Sequence, residues 1–271
     1  MSVWIIALLA ALGSATGFLA GLLGIGGGMI LTPFLAMLLP LAGVPADWAL
    51  HCAIATSMST ILFTSLSSVR AHAKCGAVLW KAALALAPGI VLGGIIGARI
   101  SSALPVFWAA LCFSLFVGTS ALRMFRAPSV SRKAILPSTP IMLSAGAGIG
   151  AVSALVGAGG GFLSVPFLTR CGAEMHKAVG TSAALGFPIA LAGTAGYIAS
   201  GWAHPALPGL PIMLGFIHLP ALAVVAAASM LTAPLGAKAA HRLDTKPLRR
   251  IFAVMLFLIA ANMLRNAFEA L

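Results

Sequence analysis

From residue 3 onward the chain runs for long stretches with almost no polar side chain. Apolar segments cover 3–23, 28–42, 50–69, 82–98 and 105–122, and then 141–157, 161–169, 177–199, 212–234 and 251–268. None of them alternates apolar and polar residues with the period of two that marks a half-buried strand. The pattern predicts helices, which with closed barrels are the only structures that satisfy their own backbone in a bilayer. Two of the segments are preceded by a fault. GIGGG at 24–28 and GAGGG at 157–161 interrupt sequence that is otherwise continuous, and Pro33 and Pro166 follow at once. A glycine inside a helix costs about 1 kcal/mol against alanine, so three in a row predict a break. Beyond each break the segment is short. As α-helix, 28–42 reaches about 22 Å and 161–169 about 14 Å, against roughly 30 Å of hydrocarbon. Both are expected to be half-helices.

The breaks belong to a duplication. GIGGGMILTPFL (24–35) matches GAGGGFLSVPFL (157–168), HCAIATS (51–57) matches HKAVGTS (176–182), and GAR (97–99) matches GAK (236–238). The offsets are 133, 125 and 139 residues. Three blocks in one order at similar spacing imply two related halves, 1–122 and 141–271, joined by a basic linker at 123–140.

Composition settles the solvent. Hydrophobic residues make up 61% of the 271 and charged residues 7%, with a mean hydropathy of +1.10; soluble domains carry about 25% charge. The net charge of +12 comes from 16 Lys and Arg against 4 Asp and Glu. These basic residues lie mainly between apolar segments, the positive-inside signature, so no nucleic-acid partner is expected. The N-terminal MSVWIIALLAALGSATG has no basic lead-in and runs into further apolar sequence. It reads as a first membrane helix rather than a cleaved signal. Cys52, Cys75, Cys112 and Cys171 form no C-x-x-C pair and read as small packed residues.

Loop charge also orients the halves. Arg70, Lys74 and Lys81 occupy 70–81, whereas its counterpart 200–211 has no Lys or Arg. Arg99 stands alone in 99–104, whereas 238–250 carries Lys238, Arg242, Lys246, Arg249 and Arg250. Opposite bias in equivalent loops predicts inverted repeats, with 70–81, 123–140 and 238–250 cytoplasmic and 200–211 outside. The expected fold is an all-α polytopic membrane helical bundle of eight to ten segments, in two inverted repeats with glycine-broken half-helices.

Irregular backbone at membrane depth persists only where protein or a water-filled cavity surrounds it. A glycine run that opens a half-helix offers bare N–H groups and the positive end of a dipole, which suits an anion. Gly26, Gly27 and Gly28 with Pro33, and Gly159, Gly160 and Gly161 with Pro166, are therefore the candidate substrate site. The competing reading is that such glycines only let helices approach. Thr56 and Ser57, with their equivalents Thr181 and Ser182, either donate to an anionic oxygen or bond nearby backbone. His51 and His176 are equivalent positions that either sense protons or sit satisfied at an interface. Arg99 and Lys238 either snorkel to the headgroups or guard opposite mouths of an anion path. His218 has no second ligand at i±4, so no metal site is expected, nor any cofactor. Asp47, Glu174, Asp244 and Glu269 fall in loops or at segment ends, leaving no buried carboxylate relay. Coupling then rests on histidine or on the anion's own charge. Gly13, in the unbroken first segment, is expected to tolerate alanine.

GIGGGMILTP and GAGGGFLSVP, each followed further on by ATS (55–57) or GTS (180–182), resemble the motifs of the TauE/SafE family of membrane transporters, also called sulfite exporters. The resemblance spans about residues 10–265. It implies a multi-pass protein of the bacterial inner membrane that moves sulfite, sulfoacetate or related organosulfur anions outward through the lipid bilayer. No enzymatic activity is implied, and the chain could assemble as a homo-oligomer. A passive anion channel and a non-transport membrane subunit are the alternatives. An intramembrane enzyme has neither a G-x-S-x-G elbow nor an H-E-x-x-H pair to support it.

Overall fold

A computed structural model describes residues 2–24, 26–125, 137–202, 212–240 and 246–269. With no alternation to hold strands, each apolar segment satisfies its backbone within itself, and ten α-helices form among these residues. The first half holds α1 (Val3–Leu23), α2 (Gly28–Leu38), α3 (Ala46–Lys74), α4 (Trp80–Ala103) and α5 (Val106–Phe125). The second holds α6 (Thr139–Val156), α7 (Gly161–Arg170), α8 (Met175–Trp202), α9 (Leu219–Ala240) and α10 (Lys246–Glu269). Among the described residues six helices are long and apolar enough to cross a membrane: α1, α3, α4, α6, α8 and α9. The chain is an all-α polytopic membrane bundle. Burial is distributed as a bilayer requires, with Trp4, Leu84, Leu92 and Leu231 pointing outward while Thr32, Ser57, Thr181 and Ser182 are fully enclosed.

The segment expected at 212–234 begins differently. Residues 213–218 form a two-stranded antiparallel hairpin, β1 (Met213–Leu214) paired with β2 (Ile217–His218), and only then does α9 start. The apolar run carried no sign of the hairpin because its residues face a protein interior, with Phe216 and Ile217 buried. Pro220 falls in the first turn of α9, where no N–H is needed. Of the linker, 126–136 lies outside the described residues, and α5 and α6 close in on it from either side.

Helices in lipid gain nothing from excluding water between them, so small residues that admit close backbone contact decide which pairs form. On α1, Gly13, Gly17 and Gly21 face Val225, Ser229 and Ala233 of α9. On α4, Gly89, Gly93 and Gly97 face Leu143, Ala147 and Ala151 of α6. Residue numbers rise together along both seams, so each pair runs parallel. At the centre α3 and α8 cross antiparallel, with Ser65 beside Gly186 and Met58 beside Gly193. The pairings exchange halves: α1 packs on α9 and its counterpart α6 on α4, while α5 packs on α10.

This corrects the expectation for Gly13, where a Cβ would lie 2.8 Å from the Val225 carbonyl oxygen. The glycine spacing of four puts it on the seam. Gly17→Leu or Gly236→Leu should therefore lower the thermal midpoint of the detergent-purified protein steeply, overpacking costing about 1–3 kcal/mol or more. Gly148→Leu, where a Cβ meets nothing within 4 Å, should melt near the wild type. Equal melting of all three variants would contradict the seam.

Candidate functional site

Both breaks fold as their glycines require. α1 ends at Leu23 with Gly24 in the left-handed region, and α6 ends at Val156 with Gly157 in the same conformation. α2 and α7 then begin after Gly27 at φ 72° and Gly160 at φ 73°, angles that L side chains adopt only with strain. The half-helices hold 11 and 10 residues, about 15 Å each. The two breaks meet each other. A Cβ on Gly26 would come 2.6 Å from the Gly159 Cα, so backbone passes backbone here with no room for a side chain.

Breaking a helix at this depth frees carbonyls that water cannot reach. The serines of the two T-S pairs meet them from the opposite half. Ser57 Oγ donates to Gly157 O at 3.0 Å, with Thr32 Oγ1 2.8 Å away. Ser182 Oγ donates to Gly24 O at 2.7 Å, with Ser164 Oγ 2.8 Å away. The threonines hold the chain entering α9 and α4. Thr56 Oγ1 accepts the His218 N–H ahead of α9 at 3.0 Å, and Thr181 Oγ1 accepts the Leu79 N–H ahead of α4 at 2.9 Å. In this conformation the four hydroxyls are bonded to backbone across the boundary between halves.

Two further residues join this set. His72 Nε2 lies 2.9 Å from Gly21 O, and Tyr197 OH donates to Ala154 O at 2.9 Å. Both carbonyls lie in the last turn before a break, where a helix runs short of donors; the Gly157 N–H also donates to Ala154 O at 3.4 Å. Neither residue stood out by type. The signal was positional, since the offsets that align the motifs, 125 and 133, carry His72 onto Tyr197 and Gly21 onto Ala154.

The remaining candidates are placed apart. His51 is buried, its Nε2 3.1 Å from Leu104 O and its ring centroid 5.6 Å from that of Trp48 and 6.0 Å from that of Phe216. His176, its equivalent in sequence, is exposed and lies 3.3 Å from the Glu174 carboxylate. Arg99 and Lys238 are both exposed near helix ends, away from the breaks, while their neighbours Gly97 and Gly236 sit in the α4–α6 and α1–α9 seams. Pro33 and Pro166 lie inside α2 and α7, each depriving a first-turn carbonyl of its donor. His218 is buried, its Nδ1 accepting the Ala221 N–H at 3.2 Å. Among the described residues no three His, Cys, Asp or Glu side chains gather as for a metal ion.

Comparison with known proteins follows the same boundaries. The family described as "Sulfite exporter TauE/SafE" matches residues 9–263. A probable membrane transporter protein of Haemophilus influenzae is 36% identical, over 93% of this chain and 95% of its own. The probable membrane transporter protein YunE of Bacillus subtilis is 28% identical, over 95% and 96%. A probable membrane transporter protein of Methanocaldococcus jannaschii is 24% identical, over 95% and 94%. No solved structure matches the chain significantly.

The matched serines make a paired test. Ser57→Ala and Ser182→Ala should each lower thermal stability by a similar amount, about 1–3 kcal/mol for a buried carbonyl left unbonded. Melting curves of the two variants in detergent read this directly. Loss at one position and none at the other would show that the two clasps are not equivalent.

Proposed function

This chain belongs to the sulfite exporter TauE/SafE family, and from that premise we propose that it exports small oxyanions, sulfite or organosulfur anions such as sulfoacetate, across the bacterial inner membrane. It is a multi-pass membrane transporter; the substrate and direction are our reading. One observation carries it. Two half-helices, each opened by a left-handed glycine, begin beside the crossing of Gly26 and Gly159. The leading N–H groups of a helix have no partner within it, the Ile30, Leu31, Leu163 and Ser164 N–H groups here bonding the Gly27 and Gly160 carbonyls, and each helix start carries about half a positive charge. Two such ends at one place in a dry interior favour an anion.

The parallel seams α1–α9 and α4–α6 and the antiparallel α3–α8 crossing support inverted repeats, because equivalent helices then point in opposite directions. With the charge bias of the loops, this reading puts 70–81, 123–140 and 238–250 in the cytoplasm and 200–211 outside. Asp47 and Glu174 are exposed, which supports coupling through the anion's charge. An inside-negative potential drives an anion outward with about 2.3 kcal/mol per charge per 100 mV. The space at the crossing is only water-sized, which favours a carrier that opens on each side in turn over a standing pore.

In proteoliposomes, labelled sulfite and sulfoacetate should show saturable flux that responds to membrane potential and exchanges in counterflow, with sulfate as the comparison anion. Flux that neither saturates nor exchanges would mark a channel, and no flux of any of these would remove the anion reading. For topology, cysteines replacing Ala73 and Ala203 in a cysteine-free background should label from opposite faces. Position 203 lies outside the described residues, and labelling from one face would overturn the inversion.

A further inference from the structure

The halves match at the breaks but diverge beyond them. From the crossing toward its C-terminus α3 carries Thr64, Ser65, Ser68 and His72, all buried. The offset of 125 puts Ile189, Ala190, Gly193 and Tyr197 at the same steps of α8. Thr64 Oγ1 also lies 2.7 Å from Ser229 Oγ of α9; the equivalent residue of α4, at the offset of 139, is Ile90. This stretch of α3 therefore carries buried hydroxyls that the aligned positions of α8 lack.

A cavity of about 10 Å³ opens between these hydroxyls and the crossing, lined by Thr64, Ser65, Ser68 and Ser182 together with Gly26, Gly159 and the small residues Ala183 and Gly186. That is space for about one water molecule. Ser68 is 2% exposed, and its Oγ has no hydrogen-bond partner among the described residues. Ser65 Oγ donates to Leu62 O of its own helix at 3.1 Å, a local bond that a change of χ1 rotamer would release. Ser153 and Thr194, also without partners, do not line this cavity.

We infer that Ser68 and Ser65 form an oxyanion station on the α3 side of the glycine crossing, donating to the oxygens of the transported anion. The inference rests on the anion-transport reading above and adds to it a place and a side. A hydroxyl proton enclosed without an acceptor points to an oxygen supplied from outside the protein. Ordered oxygens of a sulfite or sulfonate group provide several acceptors, and Gly26 and Gly159, each two residues ahead of a half-helix start, line the same cavity. The station also lies toward the α3 terminus that carries Arg70 and Lys74, the cytoplasmic end by loop charge, where an exporter loads. An anion is larger than the space present, so binding requires Ala183 and Gly186 of α8 to draw back from α3. The site would thus load only as the crossing opens.

The test uses the full-length protein in detergent with sulfite as titrant, the midpoint shift giving the apparent affinity. Ser68→Ala and Ser65→Ala should each weaken sulfite binding about tenfold or more, as expected for a lost bond to a charged group. Without sulfite, Ser68→Ala should melt at or above the wild type, because it removes a buried unbonded hydroxyl. Ser144→Ala, on an exposed face of α6, should bind as the wild type does. Should Ser68→Ala fold poorly, the Ser65→Ala titration decides. Wild-type sulfite affinity in the serine variants would mean that the cavity holds a water only and would overturn the station while leaving anion transport intact. A wild type unmoved by sulfite and by sulfoacetate would overturn the transport reading and the station with it.

Discussion

A backbone broken inside a membrane has no water to complete its hydrogen bonds, and the centre of this protein is organised around that constraint. Two helices stop short, and each stop frees carbonyls that only protein can meet. Ser57 and Ser182 reach across from the other half to Gly157 and Gly24. His72 and Tyr197 take the carbonyls one turn earlier. An unbonded buried carbonyl costs about 1–3 kcal/mol, so these contacts decide whether the broken helices can exist at this depth. The two serine contacts also tie the halves together, whereas His72 and Tyr197 each serve the break of their own half.

Around this centre, size rather than hydrophobicity selects partners. Lipid surrounds apolar side chains as well as protein does, so leucine on leucine confers little preference between helices. The glycine seams of α1 on α9 and α4 on α6 bring backbones together and fix the register of each pair. Between the two seams α3 and α8 cross. There the walls are small, Ala183 and Gly186 on α8 against Ser65 and Ser68 on α3.

The matched sequence blocks meet matched backbone groups at the breaks. Equivalent residues do equivalent work where backbone must be satisfied, as Thr56 and Thr181 do for the two chains entering α9 and α4. Equivalence ends away from the breaks. His51 is enclosed beside Trp48 and Phe216 while His176 stands in water beside Glu174. Thr64, Ser65 and Ser68 align in sequence with Ile189, Ala190 and Gly193.

Much of this was legible in the residues alone. Uninterrupted apolar runs dictate helices because period and burial leave no other way to satisfy the backbone, and α1, α4 and α10 follow those runs to within a few residues. The glycine triplets announced both half-helices, since no other residue enters the left-handed region so readily. The matched T-S pairs marked positions that matter but not what they do: a hydroxyl bonds a ligand or a carbonyl with equal ease, and only the fold brings Gly157 to Ser57. Gly13 looked neutral because a seam belongs to two helices, and nothing local to α1 names α9 as its partner. The hairpin at 213–218 was hidden for a similar reason, its apolar side chains being buried by neighbours distant in sequence. His72, Tyr197 and Ser68 carry no motif, and their meaning comes from the carbonyl or cavity that tertiary packing sets before them. Local preference chose the elements and where they break; long-range contact chose what each polar group would meet.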